Sequence, residues 1–403
     1  MGTNTTSGVG GELGGVSTSQ RRIPTSVANS FWDIQTLKAA PKAETLKASV
    51  VKSDSGDITL REIRYETPGA GNEKMMIFAY YALPAGKRGG RLPAIISVHG
   101  GGGLSDVNAA LHWAKRGFAA VSMDLPGKAG EARKESRSEG PDMLDDNIFK
   151  VTPSPKNSYL YAAVNTVSRA ISFLVDQKEV DPTRIGVIGY SWGGVITLIT
   201  SGIDDRVSAA CDVFGAGYIP DESIWVPGPV TKLSAAEKKI WREHFDPSSY
   251  LKSLHGRVMF VGATQDIYYP MRSFIKTYQA ADGEKTLHLI PNKNHAYDEA
   301  DVANMNRWFD YALKDGPGFA SLKVKKSGGG IEVSARGKRP IVAVSLVTTA
   351  EKDFTKAVWE GSEVKGKDGV WKVDLPKGAQ SYYVQATDDN GAVIADQVKL
   401  AGK

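Results

Sequence analysis

Short apolar runs of strand length recur along the first three quarters of the chain, separated by stretches with helical periodicity. Two β-rich segments come first, at 58–65 and 75–83. Strand and helix signals then alternate: a strand at 94–98, a helix over 107–116, a strand at 118–123, and a long helix carrying Leu160, Val164, Val167, Ile171 and Leu174. Those positions make an i, i+4, i+7 stripe, which predicts one buried helix face. An apolar run over 184–188 feeds a tight turn and another helix, and three more strands end at Val213, Val261 and Ile290. A helix between the last two, and a final one holding Met305, Trp308, Phe309 and Leu313, complete the series. Such alternation predicts an α/β fold over residues 31–316, a mostly parallel sheet covered by helices on both faces.

Two excursions break the alternation: residues 126–156, charged and proline-containing, and residues 217–250, carrying Tyr218, Trp225 and Trp241. Both leave at strand C-terminal ends, where open α/β sheets place their ligands. Each reads either as a lid or wall over a site, with Tyr218 and Trp225 as candidate substrate contacts, or as an insertion packed on the body. Beyond Gly316-Pro317-Gly318 the pattern changes to short β runs at 321–325, 331–335, 341–347, 370–375, 381–387 and 392–400. Asp368-Gly369 and Asn390-Gly391 fall between such runs, as hairpin turns with positive φ require. Residues 319–403 therefore read as a small antiparallel β-sandwich, an accessory domain. It holds no histidine and no cysteine, so catalysis is not expected there. For its Trp359 and Trp371, packing is the expected fate ahead of sugar binding.

At 403 residues the chain exceeds one ordinary compact domain, in keeping with two folded units. Its 50 basic and 45 acidic residues are mixed along the sequence rather than gathered into basic blocks, which gives no support to nucleic-acid binding. Cys211 is the lone cysteine. That removes an internal disulfide framework and a Cys-cluster metal site, and its apolar setting predicts a buried, inert thiol. No apolar run is long enough to cross a bilayer, so a soluble protein with no membrane partner is expected. The first 30 residues, which lack the charged start and apolar middle of a secretory signal, are expected to be disordered; the stretch from Gly2 to Ser19, rich in Gly, Ser and Thr, reads either as foreign to the native chain or as what is left when a signal is removed. A secreted or periplasmic location stays open, and oligomeric state is undetermined.

Candidate chemistry centres on Gly189-Tyr190-Ser191-Trp192-Gly193, set between a buried strand and a helix. A serine on so sharp a turn has a strained backbone, and side chains at the flanking glycines would meet the neighbouring strand or helix. A serine hydroxyl needs a base within hydrogen-bond reach and a carboxylate to orient that base. For this turn the expected chain order is Ser, acid, His. Of the histidines, His112 lies in a helix, His244 and His255 flank the end of an excursion, and His288 sits inside an apolar strand. His295, in the loop after the last strand of the sheet, is the candidate base. Asp266, at the exit of the preceding strand, is the candidate acid; its rival Asp212 reads as a partner for a backbone amide. Asp298 and Glu299 follow His295 too closely to orient it and are expected to face water. His99-Gly100-Gly101-Gly102-Gly103 follows a buried strand and offers backbone amides for an oxyanion, with Gly101 and Trp192 as the donors and His99 as a loop organiser. The glycine run lacks the Gly-Lys-Ser/Thr of a phosphate loop, and Gly186-Val187-Ile188-Gly189 lacks dinucleotide-binding spacing. No zinc-hydrolase motif is present, so no metal and no cofactor are expected.

Over about residues 50 to 315 the chain resembles the α/β-hydrolases, and within them the group of dienelactone hydrolases, acetyl xylan esterases and prolyl oligopeptidase-like enzymes. Val98-His99-Gly100-Gly101, the segment from Glu179 to Gly186, Gly189-Tyr190-Ser191-Trp192-Gly193-Gly194, Gly262-Ala263-Thr264-Gln265-Asp266 and Asn294-His295 carry the resemblance. Dienelactone hydrolases proper use cysteine where this chain has Ser191, and the propeller of the oligopeptidases is absent. The resemblance implies a serine hydrolase acting on small or carbohydrate-linked carboxylic esters. A peptidase with the same machinery and a noncatalytic carbohydrate-binding protein with a relic triad are the alternatives. A small-molecule or carbohydrate ester is the implied partner.

Overall fold

The computed structural model describes residues 31–86, 90–128, 134–367 and 369–401; the disordered segment expected at residues 1–30 lies outside them. β1 (Ala43–Val51), β2 (Ile58–Pro68) and β3 (Lys74–Pro84) form an antiparallel meander, and β3 pairs antiparallel with β5 (Ala119–Met123). From there the sheet is parallel through β4 (Leu92–Val98), β6 (Val180–Tyr190), β7 (Val207–Val213), β8 (Arg257–Ala263) and β9 (Lys285–Ile290). The order is β1-β2-β3-β5-β4-β6-β7-β8-β9.

Every residue of β4 is buried, as a central parallel strand covered on both faces requires. Neighbouring residues serve different cores. Ile96 and Phe260 pack under α3 (Tyr159–Val175) and α4 (Trp192–Ile203), whereas Ile95 and Met259 face Trp113 of α2 (Val107–Lys115) and Trp308 and Phe309 of α7 (Glu299–Lys314). Cys211 lies wholly inside this second core, and burial pushes its thiol well above the usual range, so it is an inert packing group.

The stripe on α3 predicts one buried face, yet the helix is buried from Tyr159 to Leu174 on all sides. Its outer side is covered by the segment around α1 (Ile34–Lys38): the Arg169 guanidinium donates to the Thr36 and Ala39 carbonyls, and the Ser172 hydroxyl to Leu37 O. Polar side chains on α3 thus tie down a further layer instead of meeting water.

The C-terminal residues form two antiparallel sheets, β10 (Ser321–Ser327), β11 (Gly330–Arg336), β15 (Val370–Asp374) and β14 (Gly366–Lys367) against β13 (Glu360–Glu363), β12 (Ile341–Thr349), β16 (Ser381–Asp388) and β17 (Val393–Ala395), with β18 (Lys399–Leu400) on β16. β13 and β14 are additions to the pattern read from sequence. Ile331, Val333, Val344, Leu346, Trp371 and Val384 fill the space between the sheets. Trp359 is buried more deeply than Trp371, but with Val347, Ala357 and Tyr383 it joins the core of the large α/β unit. Neither tryptophan is therefore presented to solvent as a sugar platform. Two excursions leave the large sheet after β5 and β7; the second contains α5 (Ala235–Phe245), and α6 (Met271–Ala280) follows β8.

Candidate active site

Ser191 stands between β6 and α4 with φ 58° and ψ −121°, a conformation that non-glycine residues adopt only when the surroundings enforce it. The enforcement is visible. The Ser191 N–H donates to Val213 O at 2.8 Å, and Gly194 N–H returns to Ser191 O at 2.8 Å. A Cβ on Gly189 would stand 2.0 Å from Gly193 O, and one on Gly193 would stand 2.4 Å from Val98 O, so both flanking glycines are required by close approach of backbone. The turn leaves Trp192 as the first helical residue, with its N–H among those that lack an intrahelical acceptor.

The glycine run after β4 passes directly over this turn. A Cβ on Gly100 would lie 3.0 Å from Ser191 Cβ, and one on Gly101 would lie 3.4 Å from Trp192 Cδ1. Gly100 is thus packed against Ser191, and Gly101 against the side chain of Trp192. His99 organises the run: Nδ1–H donates to Gly100 O at 2.8 Å and Nε2 accepts from Leu125 N–H at 2.9 Å.

Asp266 leaves β8 buried. Its Oδ1 accepts from Tyr268 N–H at 2.8 Å and Tyr269 N–H at 3.0 Å, while Oδ2 accepts from His295 Nδ1–H at 2.7 Å. One oxygen is therefore fixed by backbone and the other holds the imidazole, leaving Nε2 as the basic nitrogen. Asp212 serves another purpose: Oδ1 accepts from Gly215 N–H at 2.8 Å. Burial pushes its carboxyl well above the usual carboxylate range, against the stabilisation from that one amide. Asp298 is exposed and caps α7.

Residues that the sequence did not single out stand next to Ser191 and next to His295, and Tyr269 neighbours both. The ring of Tyr269 lies 6.1 Å from that of His295, and its hydroxyl approaches Ser191 closely enough for that hydroxyl to favour the phenolate, without a well-aligned hydrogen bond. Burial is the larger influence and pushes the Tyr269 hydroxyl well up. Phe214, 5.2 Å from His295, follows the strand that binds Ser191 N–H, and Tyr190 stands 5.5 Å from Tyr297. The pair Tyr268-Tyr269, two and three residues after the candidate acid, is the one local signal in the sequence for Tyr269.

Trp225 reaches this cluster, 4.6 Å from Trp192 and 5.3 Å from Tyr269. Tyr218 does not join it: the Lys276 ammonium sits 3.7 Å from its ring centroid, and its N–H donates to Asp246. The excursions also pack on each other. Trp241, fully buried, donates to Ile148 O at 3.0 Å and stacks on Phe149, which in turn meets Trp192. Ile224, Ile267, Tyr268 and Tyr297 are more than a third exposed, and the Tyr268 ring lies 4.7 Å from that of His295.

Among proteins of known sequence, the acetyl xylan esterase family matches residues 20–215, and a PhoPQ-activated pathogenicity-related protein family matches residues 231–355. The chain is similar to an acetyl esterase of Xylanibacter ruminicola, 24% identical over 189 residues, or 45% of this chain. That match spans 41% of the relative's own length. Two solved acetyl xylan esterases share the fold. One from Paenibacillus sp. R4 superposes with a TM-score of 0.58 at 24% identity, covering 70% of this chain and 92% of its own. One from Thermoanaerobacterium sp. JW/SL YS485 gives 0.54 at 20%, covering 68% and 92%.

Proposed function

We propose that this α/β-hydrolase, similar to the acetyl xylan esterases, is a serine carboxylic ester hydrolase acting on acyl groups carried by carbohydrate or other small alcohols. The observation that carries this is the 2.7 Å bond from His295 Nδ1–H to Asp266, beside a serine held at φ 58°. With Nδ1 occupied, His295 Nε2 accepts the Ser191 proton as Oγ attacks the ester carbonyl. The amide N–H groups of Gly101 and Trp192 stabilise the tetrahedral oxyanion; one such donor is worth about 3 kcal/mol. Collapse breaks the ester bond, and the departing alkoxide takes the proton from His295. Water, deprotonated by His295, then attacks the acyl-enzyme and releases the acid and Ser191. Tyr268, Tyr297 and Trp225 suit the substrate class, since flat aromatic faces near His295 match the apolar faces of sugar rings.

A panel of acetylated xylo-oligosaccharides, 4-nitrophenyl acetate, feruloyl esters and fluorogenic dipeptides tests the proposal. Release of acetate that disappears in Ser191→Ala is expected. Cleavage of the dipeptides with no ester turnover would move the protein to the peptidases, and retention of glycan without turnover would make it a binding protein.

A further inference from the structure

The C-terminal sandwich meets the α/β unit at the two loops that carry Asp266 and His295. Gln265, adjoining Asp266, donates from Nε2 to the Ala357 carbonyl at 2.9 Å. Asn292, three residues before His295, makes a reciprocal pair with one backbone unit: Nδ2 donates to Trp359 O at 2.8 Å, and Trp359 N–H donates to Oδ1 at 2.7 Å. The side-chain amide of Asn292 thereby acts as a strand-like neighbour for the approach to β13. The two loops are also laced to each other, Gln265 N–H to Lys293 O at 3.0 Å and Ile267 N–H to Asn294 Oδ1 at 3.2 Å.

The sandwich side of this junction is closely packed. Ala357 and Trp359 are buried, and the Trp359 ring packs 5.5 Å from Phe354 and 5.4 Å from Tyr383. The loop side needs support, because Asn292 and His295 both hold left-handed backbone conformations, at φ 56° and 50°. A shelf held by the packing of Trp359 with Phe354 and Tyr383 bonds to both loops, and the bond between Asp266 and His295 depends on their spacing.

We propose that residues 357–359 position the acid and base loops, with Asn292 and Gln265 as positioning residues, so that the sandwich is part of the catalytic apparatus. This rests on the assignment of Ser191, Asp266 and His295 above. A second anchor of the same chemistry supplies the control. Asn304 on α7, more deeply buried, donates from Nδ2 to Val393 O at 2.9 Å and accepts from Val393 N–H at 2.9 Å, and it belongs to neither loop.

The test compares Asn292→Gly, Gln265→Ala and Asn304→Ala in the full chain, with kcat and KM for 4-nitrophenyl acetate and melting temperature for each. Glycine is chosen at 292 because it accepts the positive φ without strain. Asn292→Gly is expected to lower kcat roughly ten- to a hundredfold with KM within about twofold, and Gln265→Ala to act in the same direction. Asn304→Ala is expected to melt at least as early as Asn292→Gly while keeping kcat within about twofold. Ser191-dependent turnover in the wild type, with kcat in the 265 and 292 variants unchanged or lost in parallel with Asn304→Ala, overturns the inference alone. Wild-type turnover that survives in Ser191→Ala, or no turnover, overturns the assignment and the inference together.

Discussion

Replacing Asp266 by asparagine changes one atom, and the structure dictates where that atom goes. Oδ1 receives two backbone N–H groups, from Tyr268 and Tyr269. An NH2 group there would face two donors, so the carbonyl oxygen of the new amide takes that place and its NH2 points at His295 Nδ1. The imidazole must then accept at Nδ1 and carry its proton on Nε2, the tautomer that cannot take a proton from Ser191. The expected loss is on the order of 10⁴-fold in kcat, about 5 kcal/mol of transition-state stabilisation. Both backbone bonds survive, so thermal unfolding should stay close to wild type. Steady-state kinetics on 4-nitrophenyl acetate at neutral pH, with calorimetry on the same preparation, measure both. A folded variant that loses less than tenfold would refute the tautomer argument and with it the role given to Asp266.

Gly193→Ala would drive a methyl group to 2.4 Å from Val98 O and 2.6 Å from His99 O. It should destabilise the fold by about 1–3 kcal/mol or more, and an unchanged urea midpoint would contradict that packing. Tyr269→Phe removes a buried hydroxyl that faces Ser191 without a well-aligned partner. A loss of roughly two- to tenfold in kcat is expected with melting temperature steady or raised, and a marked fall in melting temperature would show that the hydroxyl is structural. His244 stacks 4.1 Å from Phe31, and burial holds its imidazole below the ordinary 6.5. The unfolded chain takes up this proton first, so the contribution of His244 to stability falls as pH drops below about 6.5 and is constant above it. Unfolding midpoints measured across that window should lose this slope in His244→Phe; an identical slope would place its origin elsewhere.

The features legible in the sequence are those set by local constraint. The elbow at Ser191 was readable because strand, glycine-flanked turn and helix are contiguous, and Asp266 and His295 followed from chain order and loop position. The loop after β4, the candidate source of oxyanion donors, is marked by its glycines. By contrast, α3 reads as amphipathic, and only the tertiary fold shows Arg169 and Ser172 spending their polar atoms on the carbonyls of α1 and its flank. β1 carries no strand signal because this edge strand is exposed along nearly its whole length and needs no alternation. β13 is similarly exposed, and its Glu-Gly-Ser-Glu sequence carries no strand signal. Tyr269 and Asn292 act through partners far away in the chain, Ser191 and Trp359, which no local pattern encodes.

As an activated nucleophile, Ser191 should react covalently with a fluorophosphonate. Mass spectrometry of the intact protein after brief treatment with a fluorophosphonate, followed by peptide mapping, tests it most directly. One adduct per chain on Ser191, absent from Ser191→Ala and strongly slowed in His295→Ala, is the predicted result. No adduct, or an adduct on another residue with Ser191 unmodified, would contradict it.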